Sequence, residues 1–149
     1  MVDPPETTLM ALSSVSVRDV MSPGVIAIPS DSSVRTCART MFERRTHAVL
    51  VVDSRSREPI GWVTHQDVLR YLRADPFTTL AGAAVREVPA YIEPDATVEQ
   101  AADMMVAEQT THLLVGSPQL IPVGVLSSWD LVAHYAQPKL RHGGGGEIG

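Results

Sequence analysis

The feature that most constrains this 149-residue chain is an internal repeat with a period near 65 residues. Four short segments return in the same order, with small insertions and deletions between them. A period this long does not suit a solenoid and indicates two homologous half-domains. Each half alone would bury too little surface, so we expect the halves to share a core and to form a cleft that can hold a ligand. The matching pairs are 17–20 with 85–88, 31–34 with 95–98, 46–52 with 111–115, and 61–68 with 124–131.

Composition narrows the class of protein. A hydrophobic content of 44% with 19% charged residues is typical of a soluble globular domain. The net charge of −5 gives no basic surface for nucleic acid. The longest core-like apolar run, Ala48 to Val52, is far below the ~20 residues of a membrane span. One cysteine, Cys37, suits a reducing compartment, and the acidic start lacks a signal peptide's pattern. We therefore expect a cytoplasmic protein with neither nucleic-acid nor membrane partners.

Hydrophobic spacing predicts the order β-α-β-β-α in each half. Apolar residues at i, i+3, i+4 and i+7 predict one helix from Val34 to Met41 and another from Val98 to Met105. All-apolar runs at 48–52 and 113–115 predict strands buried on both faces. Along the chain we predict an N-terminal segment at 1–14, a first repeat at 15–72, a linker at 73–82, a second repeat at 83–136 and a disordered tail at 137–149.

The most informative motif is Gly-x-x-Thr/Ser-x-x-Asp, which starts at Gly61 and again at Gly124. A strand ends at the hydroxyl residue and a helix begins there, which brings the aspartate into the first turn. A carboxylate can accept hydrogen bonds from both hydroxyls of a ribose, and a helix N-terminus favours phosphate. The same spacing is typical of a capping box, which needs no ligand. Both roles can coexist.

The order of the segments 17–21, 29–34, 49–53 and 61–67, and its recurrence, resembles the cystathionine-β-synthase (CBS) domain. Over residues 15–136 the chain is similar to a tandem CBS pair, often called a Bateman module. The resemblance implies an α/β (α+β) fold with two repeats in pseudo-two-fold symmetry, each a small sheet flanked by helices. It also implies an adenosine-containing ligand (AMP, ADP, ATP or S-adenosylmethionine), no required cofactor, a homodimer and a regulated partner protein.

Site residues follow from the same resemblance. The ribose and phosphate contacts are expected at Thr64, Asp67, Ser127 and Asp130. An adenine slot is expected between the first extended piece and the buried strand of each half, although core packing is the better explanation of each aliphatic residue taken alone. The slot residues are Val25, Ile26, Ala27, His47, Ala48 and Val49 in the first half, and Ala90, Tyr91, Ile92, His112, Leu113 and Leu114 in the second. Leu50 stands where family members often carry proline.

The two halves differ in charge. The first carries arginines where the second carries acidic residues, so we predict unequal sites, with a polyphosphate drawn to the arginine-rich half. A solvated helix face is the alternative explanation of these arginines. The histidines lack the spacing of a zinc site, and no metal is predicted. The arginines are Arg35, Arg39, Arg44, Arg45, Arg55 and Arg57, and the acidic counterparts are Glu99, Asp103 and Glu108.

Together these features predict a regulatory module that binds an adenine nucleotide between its repeats and modulates a partner. The alternative is a module that dimerises and docks a protein without any ligand. The sequence contains neither the Gly-x-Ser-x-Gly nucleophile elbow of serine hydrolases nor a Walker-type phosphate-binding loop, so no enzyme activity is expected.

Overall fold

The computed structural model describes residues 14–73 and 77–137. The predicted disordered tail, apart from its first residue, and nearly all of the predicted N-terminal segment lie outside these ranges. The described chain divides into two compact units, each with its own sheet. Residues 24–90 form one unit, and residues up to 23 together with those from 91 onward form the other.

The unit of residues 24–90 contains a three-stranded sheet. Strand β3 (Ala48–Val52) lies at its centre, parallel to β2 (Ala27–Pro29) and antiparallel to β4 (Pro59–Thr64). All five residues of β3 are buried, as the unbroken apolar run predicts. The predicted turn of 53–59 joins β3 to β4, with the Asp53 carboxylate accepting from the backbone N–H groups of Arg55 and Ser56.

Three helices complete this unit: α1 (Val34–Arg44), α2 (His65–Leu69) and α3 (Ala81–Ala84). Helix α1 begins because the Ser33 side chain accepts from the Thr36 N–H, and it ends at Arg45 in the left-handed conformation. The predicted apolar face of α1 is confirmed. This face packs against the sheet, α2 and α3 to form the core of the unit. The core residues are Ile28, Val34, Cys37, Met41, Val49, Val51, Val63, Val68, Ala81 and Ala84.

The second unit has a four-stranded sheet. Its strands are β1 (Ser22–Pro23), β5 (Tyr91–Ile92), β6 (His112–Val115) and β7 (Gly124–Ser127), in the order β1-β7-β6-β5. A short 3-10 helix (Val17–Asp19) precedes β1. Two longer helices, α4 (Val98–Glu108) and α5 (Ser128–Ala136), follow β5 and β7. Within each unit, then, the chain order β-α-β-β-α is the one predicted.

The units do not coincide with the sequence repeats, because each takes in the leading segment of the other repeat. Residues 17–23 open the first repeat, but β1 pairs antiparallel with β7 of the second, and the Val17 N–H donates to the Ala96 carbonyl at 2.8 Å. Conversely, α3 and the residues up to Glu87 complete the unit of the first repeat. There the Trp62 N–H donates to the Glu87 carbonyl at 2.8 Å. Sequence similarity shows the order of segments, whereas only the fold shows which sheet each segment joins.

Two local differences from the sequence-based expectations are structural findings. The apolar residues Val68, Leu69, Tyr71 and Leu72 predict a helix that runs through Leu72, whereas the structure ends this helix at Leu69. The next backbone bonds, such as Tyr71 N–H to the Val68 carbonyl, are of the tighter i to i+3 type. Helix α3 spans the boundary between the predicted linker and the second repeat, and its first and last residues, Ala81 and Ala84, are fully buried. No helix in the described ranges is long and apolar enough to cross a bilayer.

Candidate functional site

The glycine of each Gly-x-x-Thr/Ser-x-x-Asp motif is required by a close backbone approach. A Cβ on Gly61 would lie 2.4 Å from both the Glu87 carbonyl oxygen and Val85 Cγ1. A Cβ on Gly124 would lie 2.5 Å from the Ser22 carbonyl oxygen. In both units, the segment that approaches the glycine belongs, in sequence, to the start of the other repeat. The glycines therefore serve the assembly of each unit, a role that the motif alone did not reveal.

In the first motif, both oxygens of the Asp67 carboxylate accept hydrogen bonds from other groups of the protein. Its Oδ2 accepts from the Thr64 backbone N–H at 2.8 Å and from Thr64 Oγ1 at 3.0 Å, and its Oδ1 accepts from Arg70 Nη1 at 2.8 Å. Thr64 Oγ1 in turn accepts from the Asp67 N–H, which completes a capping box for α2. Asp67 is only 5% exposed. Both carboxylate oxygens thus already have donors.

The second motif forms the same capping box, but its carboxylate accepts fewer hydrogen bonds than that of Asp67. Asp130 Oδ2 accepts from the Ser127 N–H at 2.9 Å, and Ser127 Oγ accepts from the Asp130 N–H at 3.1 Å. Both residues are half-buried. The position equivalent to Arg70 is Ala133, so no guanidinium faces the carboxylate from that place. Among residues 14–73 and 77–137, no donor to the second carboxylate oxygen of Asp130 is seen, and this oxygen lies at the first turn of a nine-residue helix.

In the first unit, the sheet register brings the segments predicted for the adenine slot close to the motif. The Leu50 N–H donates to the Ile26 carbonyl at 3.0 Å, Ala48 lies opposite Thr64, and the His65 N–H donates to the His47 carbonyl. The aliphatic side chains differ in access to solvent. Ala48 and Val49 are buried, Val25 and Ile26 are half-buried, and Ala27 and His47 are exposed.

The second unit repeats this arrangement. Tyr91 pairs with Leu114 and His112 pairs with Ser127, so the predicted slot and the motif again meet at one end of the sheet. His112 is buried, with its Nδ1 2.9 Å from Thr111 Oγ1. Ile92, Leu113 and Leu114 are buried core residues, whereas Ala90 and Tyr91 are half-buried.

A cavity of about 710 Å³ opens beside the first motif, between α1 and α2. Of the predicted site residues only His47 lines it, and Thr64 and Asp67 do not. The remaining lining is not among the predicted ligand-binding residues, although Thr46, His65 and Val68 lie in the repeated segments and Arg45 is one of the arginines predicted to attract phosphate. The lining residues are Ala38, Met41, Phe42, Glu43, Arg45, Thr46, His47, His65 and Val68.

The His47 and His65 rings lie next to each other in this lining, with centroids 5.1 Å apart. Across the described part of the chain, no three His, Cys, Asp or Glu side chains are grouped as metal ligands would be. The arginines predicted to attract phosphate are spread over α1 and the turn after β3, and Arg45 is the one in the cavity lining.

Cys37 occupies the core position equivalent to Ala101, and burial raises the pKa of its thiol from 9.0 to about 11. We expect no labelling of the folded protein by iodoacetamide at pH 8 and full labelling in urea, because only the unfolded chain exposes a titratable thiol. Between pH 9 and 11 the unfolded state loses this proton first, so stability falls as the pH rises. Rapid labelling of the native protein would contradict the buried placement.

The fold and the two motifs define a tandem pair of related repeats. The family model for the CBS domain matches residues 17–74 and again 81–137. The chain therefore belongs to the CBS-domain family, as the repeated motifs predict.

Relatives of known sequence or structure agree with this assignment. Hypoxic response protein 1 of Mycobacterium tuberculosis is 26% identical over 122 residues, which cover 80% of this chain and 84% of that protein. Its crystal structure, with two coordinated zinc ions, has a TM-score of 0.63 at 25% identity and covers 80% of this chain and 98% of that one. The structure of the CBS domain of a bacterial CNNM/CorC family Mg²⁺ transporter in complex with ATP is also similar, with a TM-score of 0.73 at 15% identity. The match covers 89% of this chain and 98% of that one.

Proposed function

We propose that this protein is a cytoplasmic regulatory module that binds an adenosine-containing ligand and modulates a partner protein. The ligand class comprises ATP, ADP, AMP and S-adenosylmethionine. The observation that carries the proposal is the acceptor oxygen of Asp130 at the N-terminus of α5, which receives no hydrogen bond from the part of the chain that the structure describes. The ATP complex of the related transporter domain supports the ligand class. CBS domains as a family act in regulation and not in catalysis.

The second motif is the better nucleotide site of the two. A ribose hydroxyl can donate to Asp130 Oδ1 without displacing a protein donor, whereas at Asp67 it would have to replace Arg70 or Thr64. A hydrogen bond to a charged group contributes about 1.5–3 kcal/mol. The Ser127 hydroxyl and the positive end of the α5 helix dipole favour phosphate. The half-buried Tyr91 offers a face for adenine stacking.

Calorimetric titration with ATP tests this assignment. We expect Asp130→Ala to weaken binding by roughly tenfold to a hundredfold, because a charge-assisted hydrogen bond to the ribose is lost. Glu93→Ala, which removes a negative charge from an exposed turn of the same unit, is the matched control and should bind as the parent does. Unchanged affinity of Asp130→Ala, or no heat with any of the four ligands, would refute the site.

A ligand-free interaction module is the second candidate, and the complete capping boxes favour it. Both motifs already stabilise helix starts without any ligand, and large apolar side chains on α1, α4 and α5, and at the end of α2 and just after it, are exposed. This function predicts that copies associate and that no nucleotide changes the melting temperature. We propose pairing of two copies under either candidate, because exposed apolar surface of this kind is typical of association sites. The residues concerned are Phe42, Leu69, Leu72, Val106, Trp129, Val132 and Tyr135.

A further inference from the structure

The cavity between α1 and α2 combines an apolar floor with polar side chains. Its volume of about 710 Å³ lies within the range of small-molecule sites, roughly 300–1,000 Å³. In the lining, Met41 and Val68 are buried and Ala38 is half-buried, so these three side chains form the floor. The remaining lining residues are exposed, apart from the half-buried Thr46. They are Phe42, Glu43, Arg45, Thr46, His47 and His65.

Three nitrogen-bearing side chains in this lining are available to a ligand. Within residues 14–73 and 77–137, the side chains of Arg45, His47 and His65 make no hydrogen bond, and Arg45 takes part in no ion pair. Thr46 differs, because its Oγ1 donates to the Ala48 carbonyl at 3.2 Å. A guanidinium and two imidazoles can therefore donate N–H groups to one acceptor in the cavity.

The second unit supplies an internal comparison, because its backbone forms the same contact at this place. The His65 N–H donates to the His47 carbonyl at 2.8 Å, and the Ser128 N–H donates to the Thr111 carbonyl at 2.8 Å. Thr111 is therefore the structural counterpart of His47, and Ser128 is that of His65. Alignment of the repeats by sequence pairs His47 with His112 instead, one residue away.

Only the apolar floor of the cavity is repeated in the second unit. Its counterparts there are Ala102, Met105 and Leu131, which are buried or half-buried. The charged and imidazole side chains are replaced by uncharged ones. Because the second unit forms the same order of strands and helices without them, packing explains the floor but not these polar side chains. The replacements are Ala107 for Glu43, Gln109 for Arg45, Thr111 for His47 and Ser128 for His65.

We propose that this cavity binds a small organic monoanion in which a carboxylate is attached to an apolar body. Arg45 and the imidazole N–H groups of His47 and His65 bind the carboxylate, and the apolar floor contacts the rest of the molecule. A guanidinium can bind both oxygens of a carboxylate through two parallel hydrogen bonds. The site is separate from the nucleotide site proposed at Asp130, because it lies wholly within residues 24–90.

The charges of the lining favour one negative charge on the ligand over several. With the histidines counted as neutral, Glu43 and Arg45 leave the lining without net charge. A monocarboxylate pairs with the guanidinium. A di- or triphosphate would bring further negative charge towards Glu43 with no second fixed cation in the lining to balance it. The apolar floor adds affinity for an organic body in proportion to the area that it buries.

Calorimetric titration with 2-naphthylacetate tests the proposal, with 2-naphthylacetamide as an uncharged probe of nearly the same shape. We expect the carboxylate to bind roughly tenfold more tightly than the amide, because only the carboxylate forms an ion pair with Arg45. Arg45→Gln should remove this preference and leave amide binding unchanged. Glutamine suits this backbone, because Gln109 has a φ of 55° and Arg45 one of 56°. Arg44→Gln, at the adjacent exposed arginine outside the lining, is the matched control and should keep the preference.

Two further measurements locate the bound probe. In ¹H–¹⁵N NMR spectra, 2-naphthylacetate should shift the amide signals of Thr46 and His65 and leave those of Thr110 and Ser128, their counterparts in the second unit, unchanged. Ala38→Phe places a large side chain in the floor of the cavity and should abolish the binding of both probes. Its melting temperature is measured to check that the variant is folded.

Several outcomes would overturn the site. They are equal affinity for the two probes, an unchanged preference in Arg45→Gln, and signal shifts spread over both units. An ATP titration that shifts the same amides more strongly than 2-naphthylacetate would assign the cavity to nucleotides and refute the monoanion. Phe42 also belongs to the apolar surface proposed for pairing, so sedimentation is measured with and without the probe. A dimer that binds no probe would show that a second copy covers the cavity.

None of these results bears on the nucleotide site at Asp130. The titration of Asp130→Ala with ATP decides that site separately, because Asp130 and the cavity belong to different units of the chain.

Discussion

Gly61→Val is expected to destabilise the unit of residues 24–90 by about 3 kcal/mol or more, equivalent to roughly 10 °C in melting temperature. A Cβ at this position would lie 2.4 Å from the Glu87 carbonyl oxygen, which also accepts the Trp62 N–H. The added side chain must therefore push away the segment that closes this edge of the unit. Urea unfolding followed by tryptophan fluorescence measures the loss.

Gly24→Ala is the matched control for this substitution. Gly24 has a φ of +79°, but a Cβ there would meet nothing within 4 Å. Its expected cost is about 1 kcal/mol, which reflects backbone strain alone. Gly124→Ala should lose stability for the same steric reason as Gly61→Val, through the Ser22 carbonyl. Equal costs at Gly24 and Gly61 would show that backbone conformation, and not the close approach, explains the motif glycine.

Asp67→Ala is expected to cost about 3 kcal/mol of unfolding free energy, far more than Asp130→Ala at about 1 kcal/mol. Removal of Asp67 leaves a buried Thr64 N–H and the Arg70 guanidinium without their acceptor. Removal of Asp130 takes away one capping bond at a half-buried site. Denaturant unfolding of both variants measures the difference.

The comparison also separates stability from binding. Asp130→Ala should remain folded under the conditions of calorimetry, so its loss of ATP affinity can be attributed to the site itself. If the two alanine variants were equally unstable, the distinct roles assigned to the two carboxylates would be wrong. If Asp67→Ala were as stable as the parent, the hydrogen bonds of Asp67 with Thr64 and Arg70 would make no net contribution to the free energy of unfolding.

Much of the fold could be predicted because its signals are local. The apolar face of α1 follows from spacing over three turns, and the buried β3 follows from five consecutive apolar residues. The capping interaction at Thr64 was recognised as the alternative to ligand binding, and the structure shows its full hydrogen-bond geometry. The family assignment depended on the order of motifs, which the sequence displays twice.

Other features depend on side-chain geometry or on contacts between elements. Arg70 is only three residues from Asp67, but spacing alone does not specify that their side chains meet. The cavity beside His47 is formed by α1 and α2, which meet only in the fold. Helix α3 consists of small residues that give no periodic signal, so the sequence predicts no helix there.

The sequence by itself determined the duplication, the order of elements in each repeat and the reversal of charge between α1 and α4, because each of these is a pattern along one chain. Tertiary structure alone decided which sheet receives each leading segment, and which motif carboxylate keeps an acceptor oxygen. The physical reason is that each leading segment joins its sheet through hydrogen bonds between residues far apart in sequence, and that side-chain geometry decides which donors reach each carboxylate. Asp67 and Asp130 occupy equivalent positions, yet within the described residues an arginine is hydrogen-bonded to Asp67 and none to Asp130.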